Sequence, residues 1–243
     1  MKATEFEFRY RFFVIMAIYV IGFSCYAVDH VNAGVAIVEW LSGSPVRTGS
    51  AHTRLMLQSV FGVGALLAIA AAAVRTWAAA YLKSNVVHDL RLHSEALVAD
   101  GPFRYVRNPL YVGGMLLSAG MGLMASRLGW VVLNVLSLWF YVRLIRREEA
   151  QLRESQGPSY AAYCEAVPRL WPALRPRVPS GGMEPRWRQA FLGEAFLWAF
   201  AVAVAIFAVT LSQKVAFRLI DFVLLFYVVK VFVFRRRAQQ ASH

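Results

Sequence analysis

The sequence predicts an all-α, polytopic membrane protein with about six transmembrane helices. The chain has 243 residues, of which 58% are hydrophobic and only 16% are charged. One soluble core of this size could not bury so much apolar surface. The apolar runs recur between clusters of basic residues, a pattern typical of membrane-spanning helices.

Six apolar runs are predicted to cross the membrane. The fourth run is short, and Arg143 at its end can lengthen it by extending its charged group towards the headgroups. A tight reversal at residues 126–129 joins the third and fourth runs, which therefore predict a helical hairpin. The six predicted spans are residues 12–28, 55–74, 110–125, 130–142, 192–211 and 216–234. Between the fourth and fifth spans, a separate helix outside the membrane is predicted at about 144–156, ended by Gly157 and Pro158.

Basic residues are distributed unevenly between the predicted loops. If both termini are cytoplasmic, 21 of the 26 Lys and Arg residues lie on the cytoplasmic side. The positive-inside rule therefore predicts an integral protein of the inner or plasma membrane with both ends inside. The net charge of +12 fits an anionic leaflet surface, so it indicates a membrane partner and no nucleic acid.

Residues 101–114 form a basic stretch, punctuated by glycine and proline, that runs into the third span. Asn108 is a favoured N-cap, and Pro109 suits the first helical position because its missing N–H would be unpaired there. With Arg104 and Arg107 within one turn, this helix start suits a carboxylate or phosphate. On these residues alone, a capped transmembrane helix with flanking arginines is the alternative.

A second stretch lies one hairpin later, with the sequence RLIRREEAQL at residues 143–152 and a Tyr-x-x-Tyr-x-x-x-Val-x-Arg-x-x-Pro tail at 160–172. Together with 101–114, it makes residues 85–176 resemble the integral-membrane methyltransferases that include isoprenylcysteine carboxyl methyltransferase and phosphatidylethanolamine N-methyltransferase. One position departs from the isoprenylcysteine pattern, where His usually precedes the proline and Asn108 stands here. This leaves the substrate class open.

The resemblance implies S-adenosylmethionine as the methyl donor. The helix start from Asn108 to Tyr111 would take the donor's carboxylate, and Gly113 would allow its close approach. Glu148 or Glu149 would hold its ammonium or ribose hydroxyls. Adjacent helical residues diverge by about 100°, so one of the two would face the donor. The predicted cofactor-binding residues are Tyr105, Arg107, Asn108, Pro109, Tyr111, Gly113, Glu148, Glu149, Tyr160, Tyr163 and Arg169.

The acceptor implied by the resemblance is lipid-like, either a carboxylate such as an isoprenylcysteine-like compound or a phospholipid amine. Arg143 and Arg146 would bind its anionic group, and with Glu148 they form the predicted catalytic set. Two alternatives are an NADPH-dependent membrane reductase of the sterol type and a non-catalytic membrane scaffold. For the tyrosines of the tail, interfacial anchoring is the alternative to donor binding.

A metal site is not expected. His88 and His93 are five residues apart and would not share a helix face. The predicted organisation has three parts. Residues 1–84 hold the first two spans, residues 85–176 form the methyltransferase core, and residues 177–243 hold the last two spans and a basic tail.

Overall fold

The computed structural model describes residues 2–46, 49–82, 99–212, 214, 215 and 218. Within these ranges the chain is helical and forms no β-strand, with a single isolated bridge between Asn32 and Ser126. The all-α prediction is confirmed. The helices are α1 (Glu5–Arg9), α2 (Arg11–Ser24), α3 (Ala33–Ser42), α4 (Ala51–Tyr81), α5 (Pro109–Gly122), α6 (Arg127–Ala166), α7 (Trp187–Gly193) and α8 (Ala195–Thr210), with 3-10 turns at Cys25–Ala27 and Gly101–Arg104.

Two of these helices, α4 and α6, are long and apolar enough to cross a membrane. The pair α7 and α8 is bent by 62° and gives a third crossing if the two helices form one broken span. The chain is therefore an α-helical membrane protein with two or three spans in its described part. The predicted count of six is not confirmed, because α2 and α5 have only 14 residues each. The last predicted span, 216–234, lies outside the described residues apart from Arg218.

Helix α4 lies between α5 and α8 and packs closely against both. Small residues permit this approach: Ala68 and Ala72 on α4 and Ala201 on α8 are fully buried together. On the other side, a Cβ at Gly64 would stand 3.0 Å from the backbone oxygen of Gly120 in α5. Such small-residue contacts are typical of helix packing in membranes, where close van der Waals contact replaces hydrophobic exclusion.

Helix α4 is longer than the predicted second span of 55–74. It begins after Ser50, whose side chain caps it by accepting from the Thr53 N–H at 3.4 Å. At its other end it continues past Arg75 to Tyr81. The prediction ended the span at the charge, but the structure pairs Arg75 and so the helix continues.

Helix α6 differs most from the prediction. A span at 130–142 and a separate helix at about 144–156 were expected, whereas the structure has one helix, Arg127–Ala166, of 40 residues. No residue between the two predicted pieces interrupts helical hydrogen bonding, so they join. Gly157 does break the helix, with a φ of 55° that favours glycine, and the chain turns there at Pro158.

The hairpin of α5 and α6 is fixed at its turn by the segment before α3. The Ala33 N–H donates to the Ala125 oxygen at 2.9 Å, and the Arg127 N–H donates to the Val31 oxygen at 3.0 Å. The Arg127 guanidinium also pairs with Asp29. These contacts hold the turn at one end of the bundle. The start of α5 and the middle of α6 therefore meet at the other end.

Candidate functional site

The two stretches singled out in the sequence lie against each other. Residues 168–183, which we call the strap, run back along the segment before α5. The Arg107 N–H donates to the Pro168 oxygen at 2.9 Å, and the Ala173 N–H donates to the Tyr105 oxygen at 2.9 Å. The strap therefore closes one side of the site as an extended segment held by backbone hydrogen bonds.

Asp100 fastens the far end of the strap. Its carboxylate accepts from the Ser180 hydroxyl at 2.5 Å and from the N–H groups of Gly181 at 2.8 Å and Met183 at 3.0 Å. These hydrogen bonds, that from Ser180 most of all, hold the pKa of the Asp100 carboxyl below its ordinary value. Because the side chain is buried away from water, these donors are the groups that stabilise its charge.

Glu149 is the centre of the site's ion-pair network. It is 1% exposed, and both its oxygens accept from the Arg169 guanidinium, at 2.8 to 3.1 Å. Asn108 donates to it at 3.3 Å, and the Arg107 guanidinium lies 3.7 Å away. Glu149 therefore joins the segment before α5, helix α6 and the strap, and its oxygens are already engaged. The network raises the pKa of Arg169, chiefly through its hydrogen bonds to Glu149.

Asn108 and Pro109 occupy the helix positions predicted for them, the N-cap and the first residue of α5. The capping hydrogen bond itself is not formed. Instead, the Asn108 side chain donates to Glu149 and to the Arg169 backbone oxygen at 3.1 Å. The Asn108 side chain therefore does not cap the first turn of α5, and among the described residues that turn keeps the positive end of its dipole uncovered by a side-chain oxygen.

Glu148 points to a different place from Glu149, as the helix geometry predicted. It is half-buried, and it accepts from the Tyr111 hydroxyl of α5 at 2.7 Å. The Tyr111 ring lies 5.6 Å from that of Tyr141, which is seven residues before Glu148 and so on the same face of α6. Arg11 of α2 interacts electrostatically with Glu148. These groups form a polar patch between three helices.

A fifth side chain, that of Tyr19, borders this patch. Tyr19 of α2 packs in the same cluster as Tyr111 and Tyr141. Its hydroxyl is buried, and none of the described residues provides it with a hydrogen-bond partner. A buried unpaired hydroxyl is uncommon and marks a place where a polar ligand group or a water would be satisfied.

Arg143, predicted to bind the acceptor, is buried and engaged with the amino-terminal helix. Its guanidinium donates to the Glu7 carboxylate at 2.6 Å and lies 4.8 Å from the centre of the Trp139 ring. The backbone of Arg143 also accepts from the Ala3 N–H at 3.1 Å. Arg146, the other predicted acceptor ligand, is exposed, about 200° around α6 from Glu148. The structure therefore does not bring Arg146 into the polar patch.

Gly113 lies against Arg75 of α4. A Cβ at Gly113 would stand 2.4 Å from the Arg75 Cγ and 3.1 Å from the Ala71 oxygen, so its missing side chain makes room for the arginine. Arg75 in turn donates twice to Glu194, at 3.0 Å each, and once to the Leu110 oxygen at 3.3 Å. The close approach expected at Gly113 is thus made by this arginine.

The remaining predicted residues support the strap. Tyr160 and Tyr163 are 3% and 5% exposed and pack with Val167, and the Tyr163 hydroxyl donates to the Phe103 oxygen at 2.7 Å. The Tyr105 ring lies 5.7 Å from that of Trp77. Each of these tyrosines contacts protein, so the geometry gives them a positioning role around Glu149.

The comparisons with known proteins identify the segment that contains this site. Residues 59–158 match the family described as phospholipid methyltransferase. Over these residues the chain is similar to this methyltransferase family. No solved structure matches the chain.

Two curated proteins match part of the chain. "Protein-S-isoprenylcysteine O-methyltransferase" of Schizosaccharomyces pombe is 36% identical over 92 residues, which cover 37% of this chain and 39% of that protein. "Cobalt-zinc-cadmium resistance protein CzcN" of Cupriavidus metallidurans is 34% identical over 103 residues, 41% of this chain and 43% of that protein. The chain thus spans about two fifths of the length of each relative.

Sequence reasoning missed three contributors to the methyltransferase segment's surroundings. Arg75 was assigned to a loop, and Glu194 and Glu7 were given no role. A charged residue inside an apolar run is expensive unless paired, and this is the signal that could have singled out Arg75 and Glu194. Tyr141 was also missed, although its spacing of seven residues from Glu148 places both on one helix face.

The histidines considered for metal lie outside the description: His88 and His93 both fall in the gap at residues 83–98. Over the ranges that the structure covers, no group of three or more His, Cys, Asp or Glu side chains could hold a metal ion. Cys25 and Cys164 are free thiols.

Proposed function

We propose that the chain transfers a methyl group from S-adenosylmethionine to a lipophilic acceptor at the membrane. The family of the central segment supports the reaction type. The observation that carries the proposal is the contrast between two adjacent carboxylates. Glu149 is saturated by protein donors, whereas the half-buried Glu148 lies in a polar patch with Tyr111. Glu148 is therefore the carboxylate proposed to meet the donor.

The residues of the patch fit the polar groups of such a donor. When bound, S-adenosylmethionine supplies a methyl group on a sulfonium, which needs no activation by the protein. Glu148 would accept from its ammonium or ribose hydroxyls. The uncapped first turn of α5 would donate to its carboxylate, and the unpaired Tyr19 hydroxyl would complete the polar contacts. The chain's contribution to rate is then orientation and the exclusion of water.

The acceptor is proposed to enter from the bilayer, between helices. A carboxylate acceptor, such as an isoprenylcysteine-like compound, would need no base. A phospholipid amine would have to lose a proton first, and Glu148 is the group in the patch that could take it. Arg143 remains the proposed ligand for an anionic acceptor group only if Glu7 is displaced from it. Arg146 is no longer proposed, since it lies on the exposed side of α6.

The site is proposed to face the cytoplasm. The motive is the sequence: with both termini inside, 21 of the 26 Lys and Arg residues fall in the predicted cytoplasmic segments, which also contain Asp100, Asn108 and Glu149. Reporter fusions after residues 50, 90 and 180 test it. Signals from the cytoplasm at 90 and 180, and from outside at 50, are expected. An outward signal at 180 would contradict the orientation.

The test of the donor site is calorimetric titration of the detergent-purified chain with S-adenosylhomocysteine and, separately, with NADPH. Binding of S-adenosylhomocysteine is expected. Glu148→Gln should weaken it by about 10- to 150-fold, because a charge-assisted hydrogen bond of about 1.5–3 kcal/mol is lost. Tyr111→Phe, which removes the hydroxyl that orients Glu148, should weaken binding by less.

Ser155→Ala is the control, since Ser155 is an exposed hydroxyl further along the same helix. It should bind as the wild type does. Binding of NADPH without S-adenosylhomocysteine would instead favour the reductase. Unchanged affinity in folded Glu148→Gln would remove the donor site from the polar patch.

A further inference from the structure

The strap carries two large apolar side chains that none of the described residues covers. Trp171 is 86% exposed and Leu174 is completely exposed. Arg175 and Arg177, on either side of Pro176, are exposed beside them. Scattered exposed apolar residues are ordinary, but a tryptophan and a leucine next to two arginines form the combination found where protein meets lipid headgroups.

The exposure belongs to an ordered part of the chain. The backbone on both sides of Leu174 is hydrogen-bonded to the segment before α5, through the Ala173 N–H to Tyr105 and the Arg177 N–H to Arg104 at 2.8 Å. Arg104 also donates from its side chain to the Val178 oxygen at 2.9 Å. Trp171 and Leu174 are thus held outwards by a fixed backbone.

The height of this loop relative to the membrane follows from α4. Residues 55–74 contain no Asp, Glu, Lys or Arg, and 20 helical residues span about 30 Å, the thickness of a bilayer's hydrocarbon core. The core boundary therefore falls near Arg75. Trp77 lies just beyond it, at headgroup level, and its ring contacts that of Tyr105. Since Ala173 is hydrogen-bonded to Tyr105, the loop lies at that level too.

We propose that residues 171–177 form a membrane-contact surface that inserts Trp171 and Leu174 among the headgroups of an anionic leaflet. The charge supports this choice of partner, because the two exposed arginines would meet the anionic phosphates that surround the inserted side chains. The surface lies beside the Arg169–Glu149 network, so it would hold the strap at the edge from which a bilayer-borne molecule reaches the site. The proposal does not depend on methyl transfer.

The experiment measures the depth of a nitroxide attached to Leu174→Cys, in the full chain with Cys25→Ala and Cys164→Ala. The protein is reconstituted into phosphatidylcholine bilayers with or without about 30% phosphatidylglycerol. The readout is collision with oxygen, which is enriched in lipid, relative to collision with an aqueous nickel chelate. The control label is placed at Ser159→Cys, next to the break at Gly157 and about ten residues beyond Glu149 along α6.

The label at 174 should give an oxygen-to-nickel ratio at least about threefold that of the label at 159, and the ratio should rise in the anionic bilayer. Arg175→Gln combined with Arg177→Gln should remove that rise. A juxtamembrane arginine is worth about 1 kcal/mol on an anionic surface, so the pair should change the balance between contact and release more than tenfold. A water-like ratio at 174 in both bilayers would overturn the proposal, as would a ratio independent of phosphatidylglycerol.

Discussion

Among the residues that the structure describes, arginine side chains hold two buried carboxylates, and the two arrangements differ in what they join. Glu149 gathers Arg169, Arg107 and Asn108, all within the methyltransferase segment or the strap that follows it. Among the described side chains, Glu194 is bound by Arg75 alone, through both oxygens. Glu149 is a shared centre for several elements, whereas Glu194 is half of a single ion pair between α4 and the break that separates α7 from α8.

The difference shows how charges are kept in an apolar helical bundle. Burying an ion costs several kcal/mol, and a partner offsets that cost only when its geometry is good and its other hydrogen bonds are made. At Glu149 the cost is shared among several donors. At Glu194 it depends on one guanidinium, whose remaining contact is the Leu110 oxygen at the start of α5. Removing the carboxylate of Glu149 should therefore have different consequences from removing that of Glu194.

The largest effect is expected for Glu149→Gln. The change leaves Arg107, which is 9% exposed, next to a neutral amide, and it releases Arg169, and with it the strap, from α6. Breaking a buried pair in this way costs about 3–5 kcal/mol. Thermal unfolding in detergent should show a clear fall in Tm. Glu148→Gln, one residue away and half-buried, is the control and should lower the Tm less. Equal falls for both variants would contradict the distinction between the two carboxylates.

A smaller effect is expected for Glu194→Gln. Arg75 is 25% exposed and can recover part of its hydration, so we expect a loss of about 1.5–3 kcal/mol, the value of hydrogen bonds to a charged group. Because Arg75 also holds the Leu110 oxygen, the start of α5 should loosen. Hydrogen exchange at Tyr111 and Val112 should speed up in Glu194→Gln and not in Thr76→Val, which removes the neighbouring hydrogen bond from Trp198. Unchanged exchange would reduce the pair to a local contact.

Gly113→Ala approaches the same pair from the other side. The added methyl group would stand 2.4 Å from the Arg75 Cγ, and such overpacking costs about 1–3 kcal/mol. Gly62→Ala in α4 is the matched control, since nothing lies within 4 Å of a Cβ there and alanine favours the helix by up to about 1 kcal/mol. The melting temperature should fall in the first variant and hold or rise in the second. A fall in both would place the cost in the glycine backbone and not in the contact with Arg75.

Much of the fold could be predicted because hydropathy and basic-residue clusters are local signals. The hairpin, the helix start at Asn108 and the break at Gly157 all follow from residues a few positions apart. The prediction ended the fourth span at Arg143 because of its charge. It therefore missed that residues 130–142 and 144–156 belong to one helix, whose backbone is not interrupted between them. Charges within helices were paired by residues far away in the sequence.

The sequence predicted a set of site residues but not how their side chains are arranged in space. The two adjacent glutamates had to point in different directions, but the sequence could not show which of them is bound by the protein's own donor groups. That depends on Arg169, twenty residues later, returning to α6 after the break. Likewise, the room at Gly113 was assigned to a ligand because Arg75 could not be known to lie there. Contacts between distant segments carried the information that local patterns lacked.

The smallest expected effect is at Asp100, which holds the far end of the strap, and this effect depends on pH. The pKa of Asp100 is lowered in the folded chain, so its charged form contributes stability above the unfolded pKa of about 4. That contribution should be lost as pH falls below about 4, through the folded pKa. Asp100→Asn should cost about 1–2 kcal/mol near neutral pH, since it weakens the hydrogen bonds from Ser180, Gly181 and Met183.

Denaturation of the wild type and Asp100→Asn in detergent at several pH values between 3 and 7 measures the difference in unfolding free energy. The difference should be constant from pH 7 to 5 and shrink towards pH 3, because protonation of the wild-type carboxyl removes what the substitution removed. Glu149→Gln tests the other attachment of the strap, the pair between Arg169 and Glu149. At pH 7 it should differ from the wild type in unfolding free energy by more than Asp100→Asn does. If the Asp100→Asn difference instead grew as pH fell, the carboxyl would be stabilised in its protonated form. The hydrogen bonds at this end of the strap would then not be what holds it.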